Sequence, residues 1–265
     1  VSGPPRWERA LVTGASSGIG AAVARRLAAD GTHLVLVARD LARLDRLAIE
    51  LRQRHRVEVE VLVADLGDDA ATAVAARRLA ADDAPVDLLV ANAGFGTGGR
   101  FHELPLDREE AEIRVNLLAP VRLTHAALGA MVPRGRGTVV FVSSLAGLVP
   151  APRSATYAAT KAYLNSFGES LHEELRGTGV GCTVVLPGFT RTEFQARAGV
   201  EAATSRVPGR AWMSAEAVAD AALASAARGE GWCIPGNGYR ALAAVADLTP
   251  RPLLRRIAAV VRRDA

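Results

Sequence analysis

Lysine is nearly missing from this chain. Of its 32 cationic side chains 31 are arginine, and the one lysine is Lys161. Arginine spreads its charge over a wide planar fork and cannot share a proton, so a lone lysine marks a place that needs a compact, titratable ammonium. Cysteine is almost as scarce. Cys182 and Cys233 stand apart, without zinc-ligand spacing and without a disulfide framework, so no metal is expected and a reducing compartment fits. Aromatic residues make up 5% of the chain and do not interleave with a basic run, which argues against nucleic acid as a partner. No apolar stretch reaches the length of a membrane span. Val1 to Arg9 is polar and proline-bearing, with no apolar run of signal length, and the expected location is the cytoplasm.

What is present describes a folded globular chain. At 265 residues it can bury a large core within one domain, and 49% hydrophobic against 23% charged residues rules out a disordered protein. The net charge of +4, dispersed over arginines, suits anionic ligands.

The lone lysine falls four residues after Tyr157, one of three tyrosines. On a helix the two share a face. A phenol beside an ammonium ionises more easily than its ordinary pKa of about 10 allows, so Tyr157 is expected to be lowered. A hydroxyl, Ser144, lies upstream at the end of an apolar run.

Read in order, strand and helix alternate. Arg9 to Val12 is a short strand running into Thr13-Gly14-Ala15-Ser16-Ser17-Gly18-Ile19-Gly20 and then a helical pattern ending near Gly31. Strand, glycine turn and helix N-terminus form an anion cradle. His33 to Ala38 is the second strand, followed by Arg39 where a ribose-binding acid stands in NAD-binding versions of such a unit. An arginine there pairs with a 2′-phosphate, unless it is a surface arginine in an arginine-rich chain. Leu41 to Arg54 is a helix and Val57 to Ala64 the third strand. Asp65 and Leu66 follow, with Asp65 either beside an adenine or capping the next helix. Asp87 to Val90 leads into Asn92-Ala93-Gly94-Phe95, whose small residues leave room for a flat ring.

One helix is expected from Asp107 to Met131, with Asn116 an odd choice inside it. Gly137 to Val142 delivers Ser143 and Ser144, and a helix from Ser154 to Leu175 carries Tyr157 and Lys161. Gly179 to Leu186 is the sixth strand, broken by Pro187-Gly188-Phe189-Thr190-Arg191-Thr192. The segment from about 190 to 212 is semi-apolar and lid-like, Ser214 caps a helix to Arg228, and Gly231 to Pro235 is a last strand. The alternation predicts an α/β fold: a single-domain, Rossmann-like, doubly wound parallel sheet of about seven strands with helices on both faces. Residues 1–236 form that domain and 237–265 a basic amphipathic extension. In its tail Leu253, Leu254, Ile257, Val260 and Val261 line one face, flanked by Arg251, Arg255, Arg256, Arg262 and Arg263.

Taken together these motifs resemble the short-chain dehydrogenase/reductase family from about Arg9 to Gly236. The carriers are the Thr13-to-Gly20 turn, Asn92-Ala93-Gly94, the set Asn116, Ser144, Tyr157 and Lys161, and Pro187-Gly188-Phe189-Thr190-x-Thr192. The spacing to Tyr157 suits Ser144 better than Ser143. Ala119 departs from the glycine that many members carry, and the tail resembles a less characterised bacterial branch. The resemblance implies hydride transfer between a nicotinamide and a carbonyl or alcohol. In it Tyr157 moves the proton, Ser144 supports the oxyanion, and Lys161 holds the ribose, lowers the Tyr157 pKa and relays protons through a water near Asn116. It further implies a cofactor held by Gly14, Ser16, Ser17, Gly18, Ile19, Gly20, Asp65, Leu66, Asn92, Ala93, Gly94, Pro187, Gly188, Thr190 and Thr192. Arg39 adds a preference for NADP(H) over NAD(H). Phe95, Leu145, Val149, Phe189 and Phe194 would line an apolar substrate pocket, or serve as core and lid packing. A homodimer or homotetramer paired through the Tyr157 helix is expected. The tail packs on a subunit or, less favoured, touches an anionic membrane surface. A dinucleotide-binding regulator or scaffold is the alternative.

Overall fold

The computed structural model describes residues 6–200, 204, 205 and 207–261. Seven strands lie in one parallel sheet: β1 (Arg9–Thr13), β2 (His33–Ala38), β3 (Val59–Val63), β4 (Leu88–Ala91), β5 (Gly137–Val142), β6 (Val180–Val185) and β7 (Trp232–Cys233). Their order is β3-β2-β1-β4-β5-β6-β7. β1 pairs with β2 on one side (Val12 opposite Leu36) and with β4 on the other (Val12 opposite Val90). The winding therefore reverses between β1 and β4, and the loops leaving those two strands part to open a crevice.

The inner strands read as nearly continuous apolar runs because both faces are covered, whereas the edge strand β3 carries Glu60 and is only partly buried. Successive residues point to opposite faces, so each strand feeds two cores. Val12, Leu36 and Val90 meet α1 (Gly18–Ala29), α2 (Leu41–His55) and the late helix Ala215–Arg228 through Leu27, Leu44 and Val218. Leu11, Val35, Leu89 and Phe141 face α3 (Asp69–Ala80), α5 (Ala119–Met131) and α6 (Ala155–Glu174) through Leu79, Leu123 and Leu164.

The expected helix from Asp107 to Met131 is divided. α4 (Leu106–Ile113) passes into a five-residue π segment, Arg114–Leu118, and then into α5. Pro120 explains part of this. It has no N–H to give the carbonyl four residues back, which is that of Asn116, and the ladder loosens there. Asp68, not Asp65, caps α3, accepting from the Ala71 N–H at 2.8 Å.

The lid carries a short helix, α7 (Phe194–Ala198), and its ends are laced together. Arg191 N–H donates to the Met213 carbonyl and Met213 N–H to the Phe189 carbonyl, each at 2.9 Å. Beyond the lid comes α8 (Ala215–Arg228), capped by Ser214 as expected, whose hydroxyl accepts from Ala217 N–H. β7 separates it from α9 (Asn237–Leu248) and α10 (Arg251–Val261). The helix α9 is an addition, since no pattern in the sequence set it apart from the tail. The side chains of Ile257, Val260 and Val261, and Arg262 and Arg263 altogether, lie outside the described residues. No described helix is long and apolar enough to cross a membrane.

Candidate active site

The crevice at the carboxyl ends of β1 and β4 is built by close backbone approach. The Thr13 hydroxyl accepts from the N–H groups of Asn92 and Ala93, both at 2.9 Å. The Asn92 amide returns a bond to the Thr13 carbonyl at 2.8 Å. Gly14 (φ +65°) and Gly20 leave no room for a side chain: a Cβ on Gly14 would meet Asn92 Nδ2 at 2.8 Å, and one on Gly20 the Gly14 carbonyl oxygen at 2.4 Å. Ser17 precedes α1 without a side-chain cap, and the first turn of α1 has no acid. Its amides are thus left for an anion. An open polar cavity of about 760 Å³ adjoins them, lined by Ser16, Ser17, Gly18, Arg43, Arg191 and Thr192 among others. These features fit a dinucleotide.

Arg39 is exposed and its guanidinium lies 3.6 Å from an Asp65 carboxylate oxygen. Asp65 also accepts from the Gly67 N–H at 2.9 Å. Both residues meet at the edge of the crevice, while the Leu66 side chain is buried in the second core. Ile19 packs against the first core.

Ser143 and Ser144 part ways at the end of β5. The buried Ser143 hydroxyl is tied to α6 through Asn165 Oδ1 at 2.6 Å and the Lys161 carbonyl at 3.0 Å. Ser144 begins a tight turn, where its oxygen accepts from Ala146 N–H at 3.1 Å and its side chain reaches Tyr157. Local backbone geometry thus separates the two serines the sequence left side by side. Leu145 N–H donates to the Pro187 carbonyl at 3.2 Å, which joins this turn to the Pro187–Thr192 segment. There Thr190 is buried, and Thr192 lies 3.1 Å from where a Gly18 Cβ would stand.

Lys161 is 4% exposed; its ammonium donates to the Val142 carbonyl at 2.9 Å and lies 5.7 Å from the centre of the Tyr157 ring. Burial pulls Lys161 down to about 8, against the pull of the Glu112 charge. The expectation of a lowered Tyr157 is reversed. Burial pushes the phenol up to about 12, the Ser144 hydrogen bond working the other way. Desolvation outweighs any help from the neighbouring cation.

Asn116 is fully buried, not a solvated helix position. Its amide brackets one residue: Oδ1 accepts from Phe95 N–H at 3.1 Å, and Nδ2 donates to the Phe95 carbonyl at 2.8 Å. A Cβ on Gly94 would lie 3.1 Å from Asn116 Oδ1 and 3.5 Å from Lys161 Nζ, so Asn116, Gly94 and Lys161 converge. Of the apolar set, Phe194 covers Tyr157 with ring centres 5.3 Å apart, and Phe189 pairs with Trp212 at 5.4 Å. Phe95 and Val149 are half-buried, whereas Leu145 packs against the second core.

A family model for short chain dehydrogenases matches residues 8–202. The chain belongs to the short chain dehydrogenase family. It is thereby an NAD(P)-dependent dehydrogenase/reductase, and the binding-only alternative gives way. An uncharacterized oxidoreductase of Myxococcus xanthus is 41% identical over 190 residues, 72% of this chain and 75% of that protein. A short-chain dehydrogenase from Sphingobium yanoikuyae, solved in complex with NADPH, is 38% identical with a TM-score of 0.83, covering 90% of this chain and 91% of that one. The bulky-bulky ketone specific alcohol dehydrogenase of Comamonas testosteroni is 32% identical with a TM-score of 0.77, covering 95% and 96%.

In this short chain dehydrogenase two groups of residues had no clear mark in the sequence. Tyr239, on α9, sits against Gly188, and its hydroxyl bonds the Phe189 N–H. As one of three tyrosines it carried a faint signal. Thr97, Glu109 and Glu112 form a buried polar cluster behind Tyr157, and nothing in their spacing sets them apart.

Proposed function

We propose that this enzyme is an NADP(H)-dependent reductase of ketones bearing apolar substituents, with Asn116, Ser144, Tyr157 and Lys161 as its catalytic set. The observation that carries the reading is the convergence of the Ser144 hydroxyl, the Tyr157 phenol and the buried Lys161 ammonium beside the glycine turn. Gly14, Ser16, Ser17, Gly18, Ile19 and Gly20 would hold the pyrophosphate end. Arg39 would take a 2′-phosphate, Asp65 and Leu66 the adenine, and Asn92, Ala93, Gly94, Pro187, Gly188, Thr190 and Thr192 the nicotinamide half. When bound, the nicotinamide supplies or accepts the hydride.

The chain's own groups handle the oxygen. A phenol held up at about 12 stays protonated through neutral pH and carries the proton that a carbonyl oxygen would take. Ser144 donates to the same oxygen as charge develops there. Lys161, pulled down to about 8, exchanges protons near neutrality and holds the ribose hydroxyls. Phe194 over Tyr157 and the Phe189–Trp212 pair keep water from that oxygen. The NADPH complex of the Sphingobium relative supports the cofactor, and the bulky-bulky ketone specificity of the Comamonas relative supports the substrate class.

Assembly through α6 is part of this reading, since Tyr163 is 39% exposed and stacks on Phe167. Leu242, Val245 and Leu248 leave an apolar stripe on α9, which we assign to a partner subunit ahead of an anionic lipid surface. The test is a panel of aryl and alkyl ketones with NADPH or NADH, following loss of reduced-nicotinamide absorbance. Turnover that prefers NADPH and dies in Tyr157→Phe supports the reading; NADH preference, or an active Tyr157→Phe, overturns it.

A further inference from the structure

One turn before Asn116, α4 carries two carboxyls into the interior. Glu109 is 3% exposed and Glu112 is not exposed at all. The Thr97 hydroxyl lies within hydrogen-bond reach of both, touching Glu109 Oε1 and, at 2.8 Å, Glu112 Oε2. The Thr156 hydroxyl also reaches Glu109, at its other oxygen. Glu112 Oε1 is buried with no partner.

A hydroxyl has one hydrogen. Thr97 therefore donates to one carboxyl only, and the other contact needs a hydrogen brought by the carboxyl itself. Glu109 has two hydroxyls directed at it; Glu112 has the Thr97 hydroxyl and the Thr97 backbone N–H, and its Oε1 stays bare. The consistent arrangement has Thr97 and Thr156 donating to Glu109 while a neutral Glu112 donates its O–H to Thr97. A fully buried carboxyl with one bare oxygen disfavours the anion for the same reason.

The cluster stands against the back of the proton-handling pair. Thr156 immediately precedes Tyr157. Thr97 follows Gly96, where a Cβ would lie 3.2 Å from the Tyr157 ring. The titratable groups that act on Glu112 or are acted on by it are Glu109 on its own helix, and Tyr157 and Lys161 on α6. The loop from Asn92 to Gly99 brings Thr97 and no titratable side chain, and Arg114 of the π segment acts on Asp69.

We propose that Glu112 is a positioning residue: a buried carboxyl, sharing the Thr97 hydroxyl with Glu109, whose ionisation sets the protonation of Lys161 and Tyr157. The proposal rests on reading Tyr157 and Lys161 as the pair that moves the proton. Its sign is fixed. An ionised Glu112 raises both the ammonium and the phenol, and a neutral one releases them. Burial holds Glu112 itself up at about 7, so the change falls in the range where the enzyme would work.

The sole lysine makes this directly measurable without turnover. Protein grown on lysine carrying carbon-13 at Cε gives one side-chain resonance, that of Lys161. In the wild type its titration should show a midpoint near 8 and a second inflection near 7 from Glu112. Glu112→Gln, which keeps the shape but cannot ionise, should remove the lower inflection and move the midpoint down by roughly one pH unit. A folded variant that titrates like wild type overturns the proposal. If Glu112→Gln does not fold, the wild-type resonance decides alone: no inflection near 7 overturns it. An active Tyr157→Phe would sink the catalytic reading instead, while leaving the Lys161 titration to judge Glu112.

Discussion

The phenol of Tyr239 occupies the space a side chain on Gly188 would need. A Cβ built on Gly188 falls 2.1 Å from the ring, whose hydroxyl accepts from Phe189 N–H at 3.0 Å and donates to the Ala211 carbonyl at 2.6 Å. One side chain of α9 thus ties the Pro187–Thr192 segment to the end of the lid, so the extension reaches the site.

Tyr239→Phe keeps the ring and deletes both hydrogen bonds, leaving one N–H and one carbonyl unpaired. It should destabilise the protein by about 0.5–1.5 kcal/mol in denaturant unfolding and raise KM more than it lowers kcat. Gly188→Ala should do more harm, because the ring cannot stay where it is. Unchanged stability and kinetics in both variants would remove the link between α9 and the site.

Lys161→Arg keeps the charge and misplaces it. The Val142 carbonyl anchors a compact ammonium at 2.9 Å in a site that is 4% exposed, and a guanidinium neither fits that place nor relays a proton. Turnover should fall at least about 10²-fold. Acylating reagents offer a chemical version, since Lys161 is the only side-chain amine. Its burial predicts slow modification, slower still with NADPH bound, and inactivation in step with labelling.

Arg39 and Asp65 define the cofactor experiment. Arg39→Ala should cost roughly tenfold to a hundredfold in NADPH affinity with little effect on NADH. Because Asp65 lies 3.6 Å from the guanidinium and competes with a phosphate for it, Asp65→Asn should tighten NADPH binding selectively. Calorimetric titration of both cofactors against the three proteins checks both statements.

Stability should depend on pH through Glu112. Its folded pKa, about 7, lies above the ordinary 4.5, so the native state holds a proton that the unfolded chain releases. The stabilisation from that proton is complete below pH 4.5 and is lost as pH rises through 7. Compared with Glu112→Gln, the wild type should therefore lose about 3 kcal/mol between those limits, since each pH unit separating the two values is worth about 1.36 kcal/mol. Parallel stability curves for the two proteins across that range would contradict it.

The sheet was legible in the residues because its signals are local. Apolar runs such as His33–Ala38 and Gly137–Val142 end where the strands end, since a strand buried on both faces needs continuous apolar sequence. The glycine turn, the Tyr157–Lys161 spacing and the Ser214 cap are likewise properties of neighbouring residues. Sequence could not assign the hydroxyl of Ser143 to Asn165, bury Asn116 against Phe95, or bring Tyr239 to Gly188 across some fifty residues. Nor could it set the charges. Proximity in sequence predicted an easily ionised Tyr157, whereas its pKa is decided by how much water the fold removes from it, and that removal pushes the phenol up and the ammonium down. Which helices shut out the water, and which buried carboxyl shares the space, is fixed only once α4, α6 and the loop after β4 pack together.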